Sequence, residues 1–184
     1  MSDLQLEPKI PLAALTTLGV GGPARLLARV ETTAEIRLAL EEAKEQKLEV
    51  LVLGGGSNLL VSDSGVDALV LVLQNQAIEC LERSDESVVL KVGAGCVWDN
   101  FVDYCVENGY SGVECLSGIP GCMGAAPIQN IGAYGQEAEQ VIESVICVSK
   151  LDGTLSEYPR EACGFGYRSS HFKKGHLRHE IVTH

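Results

Sequence analysis

Three stretches of this sequence combine residue types that suit chemistry on a flat, anionic ligand. The first is Gly54-Gly55-Gly56-Ser57-Asn58, which follows the apolar run EVLVL directly. Consecutive glycines let the backbone come within hydrogen-bonding distance of an anion, and several amides pointing one way form a nest for phosphate oxygens, so a pyrophosphate is the natural guest. Neither G-x-G-x-x-G nor G-x-x-x-x-G-K-[ST] is met here, and no long helix is expected after Asn58. Taken alone, the run fits a plain tight turn as readily as a nest. The second stretch is 117–135, SGIPGCMGAAPIQNIGAYG, where Gln129 and Asn130 stand beside Ile128, Ile131 and Tyr134. A heteroaromatic ring with alternating donors and acceptors needs that mixture of apolar faces and fixed amides. The competing reading is a surface loop whose polar residues cap its own turns, and the number of apolar residues weighs against it. The third is FGYRSSHFK at 165–173. Arg168 offers a planar fork for a carboxylate or phosphate and Tyr167 a neighbouring hydroxyl, although Arg168 by itself reads more readily as a surface cation. His171, His176, His179 and His184 follow with no carboxylate or Cys at ligand spacing, so they are expected to be solvated rather than to hold a metal, with His176 and His179 able to share a helical face.

These residues must be positioned by regular elements, and the pattern supplies them. ARLLARV (24–30) reads as a strand, and Thr32-Thr33-Ala34-Glu35 is a capping-box pattern that starts a helix. Ile36, Ala39, Leu40 and Ala43 recur at helical spacing through about Lys47. EVLVL (49–53) has the composition of a strand buried on both faces. Together they predict a strand, helix, strand unit with a parallel pair and a right-handed crossover. ALVLVL (68–73) and SVVLKV (87–92) are further strand candidates with 78–82 between them. A helix through Val97, Phe101, Tyr104 and Cys105 should stop at Asn108-Gly109. The stretch 117–135 then loses all periodicity, and a loop of that length in a compact domain is usually a binding loop. Beyond it, Asp152-Gly153 between 141–149 and 154–158 signals a hairpin, and Pro159 can open a short helix.

Composition narrows the class. The chain has 184 residues, 46% hydrophobic and 21% charged, which disfavours intrinsic disorder. Its 14 Lys and Arg against 25 Asp and Glu give a formal charge of −11, and no basic run stands out, so a nucleic-acid-binding role is disfavoured. Seven cysteines, an odd number without a CxxC pair, read as reduced and mostly buried. The N-terminus is acidic where a signal peptide would be basic, and no run approaches the roughly 20 apolar residues of a membrane span, so a cytoplasmic protein with no membrane partner is expected.

Taken in order, TLGVGG (17–22), GGGSNLL (54–60), VGAG (92–95), IPGCMGAAPIQNIGAYG (119–135) and CGFGYRSSHFK (163–173) resemble the UDP-N-acetylenolpyruvoylglucosamine reductases from about Leu15 to about Lys173. The resemblance implies an α+β fold, a two-lobed FAD-binding domain of the vanillyl-alcohol-oxidase or PCMH type. Its lobes are expected at 1–74, with the pyrophosphate loop, and at 75–184, with the flavin-lining loop. It implies FAD as cofactor, NADPH as hydride donor and UDP-N-acetylglucosamine enolpyruvate as substrate, reduced to UDP-N-acetylmuramate for peptidoglycan synthesis. By the same resemblance Gly54, Gly55, Gly56, Ser57, Asn58 and Leu59 hold the pyrophosphate. Ile119, Gly121, Gly124, Ala125 and Pro127 line the flavin, together with Gln129, Asn130, Gly132 and Ala133. Tyr134 and Tyr167 fall among the substrate contacts, and Arg168 matches the catalytic arginine that binds the substrate carboxylate and stabilises the charge developed after hydride transfer.

The chain also departs from the family. Ala125-Ala126 stand where many members have Ser or Thr, and Ser169 where Asp or Asn is common. A C-terminal substrate domain with a proton-donating Ser and an assisting Glu has no counterpart here, and Glu180-Ile181-Val182-Thr183 matches only the start of a last strand. The expectation is therefore the FAD-binding portion of the reductase, incomplete for turnover unless a second domain or partner chain brings the proton donor. The alternatives are a stand-alone flavin- or nucleotide-binding module and another PCMH-type oxidoreductase.

Overall fold

The helix expected after residue 30 forms as the capping box dictates. In the computed structural model, which describes residues 4–184, the order opens with β1 (Leu6–Pro11), β2 (Pro23–Val30) and α1 (Thr33–Glu45). The Thr32 side chain accepts from the Glu35 N–H at 3.2 Å, while the Glu35 carboxylate accepts from the Thr32 N–H at 3.1 Å. Ile36, Ala39 and Ala43 form the buried stripe. The helix stops two residues earlier than its pattern: Leu48 N–H donates to Ala43 C=O at 2.8 Å and Lys47 N–H to Lys44 C=O at 3.2 Å. That is a Schellman ending, with Lys47 at φ 55° where glycine is usual.

β3 (Glu49–Leu53) and β4 (Val66–Leu73) complete a four-stranded sheet in the order β1-β2-β4-β3, with β1 antiparallel to β2 and the other pairs parallel. This corrects two expectations. β2 and β3 run parallel but do not pair, because β4 lies between them. β3 is consequently an edge strand, largely half-buried, while Ala68, Leu69, Val70 and Leu71 of β4 take the fully buried centre. The longer apolar run occupies the position where both neighbours and both faces are covered, which maximises apolar area removed from water. Leu12, Ala24, Leu27, Leu53, Val61 and Val70 form a core on this sheet.

The chain divides into two compact units between Gln74 and Asn75. The second begins with β5 (Ile78–Arg83) and β6 (Val88–Val92), an antiparallel hairpin, followed by α2 (Trp98–Glu107). Asn108 caps α2 and Gly109 takes φ 73°, as the sequence signalled. Trp98, Phe101, Val102 and Cys105 of α2 are buried with Val113, Leu116, Ala126 and Ile131 in one cluster. Further on come two short pairing strands, β7 (Gly132–Ala133) and β8 (Gln136–Glu137), then β9 (Ser144–Ser149) and β10 (Leu155–Pro159) around the Asp152-Gly153 turn. α3 (His171–Lys174) and β11 (Glu180–Val182) close the order, with β11 antiparallel to β9.

His171 and His184 depart from the expectation of a solvated tail, whereas His176 is exposed as expected. His171 packs against Gly164, its Nδ1 lies 3.1 Å from the Ala162 C=O, and its ring meets that of His176 at 4.6 Å between centroids, tilted by 53°. His184 is half-buried, and burial holds its imidazole below the ordinary histidine range. Residues 176–179 form turns rather than a helical face, since α3 ends at Lys174 before Gly175. Among the described residues no His, Cys, Asp or Glu side chains gather as a metal site, and no helix is long and apolar enough to cross a membrane.

Candidate functional site

In the first unit, the connection from β3 to β4 opens with the triple glycine. Gly54 and Gly55 are exposed and Gly56 is buried. The three are not equivalent. Gly56 has φ 66°, its C=O accepts from the Thr17 N–H at 3.1 Å, and a Cβ there would run into the Leu15 C=O and approach Thr16 Cα at 2.8 Å. Its glycine is thus demanded by a left-handed turn packed on the neighbouring segment. Among the described residues, the N–H groups of Gly54, Gly55 and Asn58 find no backbone acceptor in the chain. Exposed amides on small residues directly after a strand are the cradle an anion needs, so the donor set fits a pyrophosphate. Leu59 is half-buried and packs on the core of this unit, anchoring the far end of the loop; Ser57 is half-buried beside Asn58.

The role of TLGVGG, left unassigned by residue-level reading, becomes clear in the same unit. Gly22 N–H donates to the Ser62 C=O at 2.9 Å, and a Cβ on Gly22 would collide with the backbone of Asp63 and Gly65. Thr16 Oγ1 donates to the Val20 C=O at 2.8 Å. This run clamps the end of the glycine-loop connection, a role visible only once 61–65 is folded against it.

In the second unit the aperiodic loop is held by the start of α2. Trp98 Nε1 donates to the Leu116 C=O at 2.8 Å, and its backbone N–H to the Gly121 C=O at 3.0 Å. Asp99 Oδ1 accepts from the Gly118 N–H at 2.7 Å and from Ser117 Oγ at 2.9 Å, which holds its carboxyl below the usual range. Gly124 N–H donates to the Ala94 C=O at 2.9 Å, and a Cβ at Gly124 would lie 2.7 Å from the Ala94 Cβ. Ile119 and Gly121 are half-buried, Pro127 is buried and Ala125 is exposed at the loop surface. A cavity of about 350 Å³ lies in this unit, lined by β6, α2 and the start of β9, but of the candidate residues only Pro127 reaches it. The thiols of Cys96 and Cys122 beside the loop are both pushed up by burial, so they are protonated near neutrality and offer no nucleophile.

Asn130 is 1% exposed, and its side-chain amide bonds inside the protein. Its Nδ2 donates to Glu137 Oε2 at 2.7 Å and to the Gly166 C=O at 3.2 Å, while its Oδ1 accepts from the Glu139 N–H at 3.0 Å. Gln129 is half-buried. The β7–β8 hairpin that follows carries Gly132 and Ala133, and lifts Tyr134 to 91% exposure with φ 50° at the tip.

The structure brings Arg168 to this hairpin. Gly166 and Ser169 exchange backbone hydrogen bonds at 3.1 and 3.0 Å, leaving Tyr167 and Arg168 at the tip of a tight turn, where Arg168 has φ 51°. Arg168 Nη2 donates to the Gly132 C=O at 2.8 Å, Lys173 Nζ donates to the Arg168 C=O at 3.2 Å, and Ser170 Oγ donates to the Ile128 C=O at 2.6 Å. Tyr167 is 84% exposed. The arginine is therefore no freely swinging surface cation: one nitrogen is tied to the loop while the residue stays exposed, as a partner for a carboxylate must be.

A strand-borne glycine turn and a glycine-rich loop braced by a helix start define the class: the family model for the FAD binding domain matches residues 24–157, and the chain belongs to that family, with FAD as its cofactor. The α+β fold is of the vanillyl-alcohol-oxidase and PCMH type, and it is shared at TM-score 0.59 and 21% identity with 6-hydroxy-D-nicotine oxidase from Arthrobacter nicotinovorans, over 75% of this chain and 30% of that one. More specifically, the chain is similar to UDP-N-acetylenolpyruvoylglucosamine reductases: 46% identical to that of Pseudomonas aeruginosa over 94% of this chain and 50% of the relative, and 43% identical to that of Thermobifida fusca over 89% and 46%. The crystal structure of the Thermus caldophilus reductase superposes with a TM-score of 0.80 at 37% identity, over 98% of this chain and 60% of that one. The chain thus spans about half the length of the curated relatives it matches.

Proposed function

We propose that this chain is the flavin-holding part of a UDP-N-acetylenolpyruvoylglucosamine reductase, an oxidoreductase of peptidoglycan synthesis that uses NADPH and acts on UDP-N-acetylglucosamine enolpyruvate. The observation that carries the reading is the Arg168 turn tied to the flavin loop through the Gly132 C=O at 2.8 Å. Likeness to reductases at 46% and 43% identity supports this substrate over other oxidoreductases of the same fold. FAD, when bound, supplies hydride relay from the nicotinamide to the enolpyruvyl double bond. Gly54, Gly55, Gly56, Ser57, Asn58 and Leu59 receive its pyrophosphate through backbone amides. Ile119, Gly121, Gly124, Ala125, Pro127, Gln129, Gly132 and Ala133 shape the surface for the ring. Arg168 binds the substrate carboxylate and is the catalytic residue that stabilises the negative charge developed as the double bond accepts hydride. Tyr134 and Tyr167 contact the substrate. The proton that completes the reduction comes from a second domain or partner chain. The seven thiols, all free, support a reducing, cytoplasmic setting.

The test is the visible spectrum of the purified chain before and after addition of FAD and removal of the excess. A structured flavin band that travels with the protein is the expected result, and a chain that stays colourless even when extended with a reductase-like second domain overturns the reading. In that extended protein, Arg168→Ala should slow flavin reoxidation by the enolpyruvyl substrate far more than flavin reduction by NADPH. Equal loss in both half-reactions would make Arg168 structural.

A further inference from the structure

Five non-glycine residues of the described chain have positive φ, and three of them, Asn130, Tyr134 and Arg168, lie in the flavin loop and the turn bonded to it. Each such residue carries backbone strain, asparagine the least, so something must hold this region in place. The bonds that do so converge on Asn130. Its side chain reaches the Glu137 carboxylate across the β7–β8 hairpin, the Glu139 N–H beyond it and the Gly166 C=O at the base of the Tyr167–Arg168 turn. Gly132, whose C=O receives the Arg168 guanidinium, pairs with Glu137 in that same hairpin. One amide therefore ties together both the support that Arg168 grips and the turn that Arg168 rides on.

From this convergence we infer that Asn130 is a positioning residue that sets the direction of the Arg168 guanidinium through the Gly166 carbonyl and the Glu137 carboxylate. The chemistry demands asparagine. Two N–H donors must serve a carboxylate and a carbonyl while an oxygen on the same group accepts an amide, and the backbone must sit at φ 45°. Aspartate has the shape but, when ionised, presents only acceptors to Glu137 and Gly166. Serine has one donor, and glutamine is a methylene longer. The geometric part of the inference stands on the chain alone, and its catalytic consequence rests on the reductase reading.

The experiment is side-chain NMR of the FAD-treated chain, following the Arg168 Nε–Hε signal and its heteronuclear NOE, assigned by its loss in Arg168→Ala. In the native protein this signal should be dispersed and rigid. Asn130→Gly keeps the left-handed backbone open while deleting all three bonds, so the signal should move to the free-arginine position and its NOE should drop to that of a mobile side chain. Asn130→Asp should do the same at neutral pH and recover in part as the solution is acidified through the carboxylate range, when a protonated carboxyl regains one of the two donors while its other oxygen still accepts from the Glu139 N–H. A purely structural role predicts neither the recovery nor the selectivity. Asn75→Ala serves as the control, deleting another internal amide of this unit, one that donates to the Thr183 C=O at 2.9 Å and accepts from the Gly95 N–H at 3.1 Å. It should leave the Arg168 signal where it is. If Asn130→Gly fails to fold, Asn130→Asp across pH decides. A native-like Arg168 signal in Asn130→Asp at neutral pH, or a native signal already at the free position, overturns the inference. Failure of FAD uptake even in the chain extended with a reductase-like second domain, with the NMR result intact, would instead remove the reductase reading and leave Asn130 as the brace of the turn.

Discussion

Substituting Gly55 and Gly56 separately should split ligand binding from folding at adjacent positions. Gly56 sits at φ 66° with a would-be Cβ driven into the Leu15 carbonyl. Gly56→Ala therefore adds about 1–2 kcal/mol for a left-handed L-residue and about 1–3 kcal/mol for displacing packed backbone, roughly 2–5 kcal/mol in all. For a unit of this size each kcal/mol moves the midpoint by about 4–8 °C, so the first unit should melt at least about 8 °C lower. Gly55 is exposed and is not among the positive-φ glycines, so Gly55→Leu should leave stability within about 0.5 kcal/mol. Its side chain would instead cover the amides that an anion must approach, and FAD affinity should fall by at least about tenfold, or 1.4 kcal/mol. Circular dichroism melts of the apo chain give the first quantity, and titration of flavin absorbance the second. Normal FAD affinity in Gly55→Leu would refute the nest, and an unshifted melt in Gly56→Ala would refute the packing argument.

Three other outcomes follow from the structure. Lys47→Gly, at the Schellman position with φ 55°, should stabilise the chain by about 0.5–1 kcal/mol because glycine adopts that conformation freely, and a lower melting point would contradict the assignment. Burial, opposed by the hydrogen bond from Tyr158, raises the Glu180 carboxyl above the usual 4.5. The folded state thus holds this proton more tightly than the unfolded one, the contribution is full below 4.5, and it is lost as pH rises through the folded value. Glu180→Gln should therefore melt increasingly above wild type as pH rises from 4 to 8, and a gap constant across that range would sink the linkage. Exposed Cys80 and Cys115 should alkylate first, whereas Cys105, pushed up to about 11 by burial, should react only on unfolding; mass spectrometry of peptides after brief iodoacetamide treatment reads the order.

Where the sequence spoke through local physics, it was legible. The Thr32–Glu35 box, the Asn108-Gly109 stop and the Asp152-Gly153 turn each depend on a few adjacent residues, and each forms where expected. Strand order was not legible, because EVLVL and ALVLVL are alike in composition and only their competition for two covered faces puts β4 inside and β3 at the edge. His171 was misread for the same reason, since its partners, the Ala162 carbonyl and the space over Gly164, come from another turn. At the site, the glycines and the arginine were visible as residue types, but their division of labour was not. Gly56 and Gly124 are required by neighbours that only the fold brings near.

Asn130 shows how one sequence pattern fits two roles. A polar amide among apolar neighbours looks like a ligand contact, and the same pattern describes an internal brace; the two differ only in where the backbone turns. At φ 45° the amide is buried with both donors occupied, while Ala125, Tyr134, Tyr167 and Arg168 are exposed. On the proposed reading, ligand recognition in the second unit falls to backbone, small side chains, the exposed phenols of Tyr134 and Tyr167 and one tied cation. On that reading, a guanidinium held through a buried amide network is already aimed before charge develops, and no reorganisation is needed when it does.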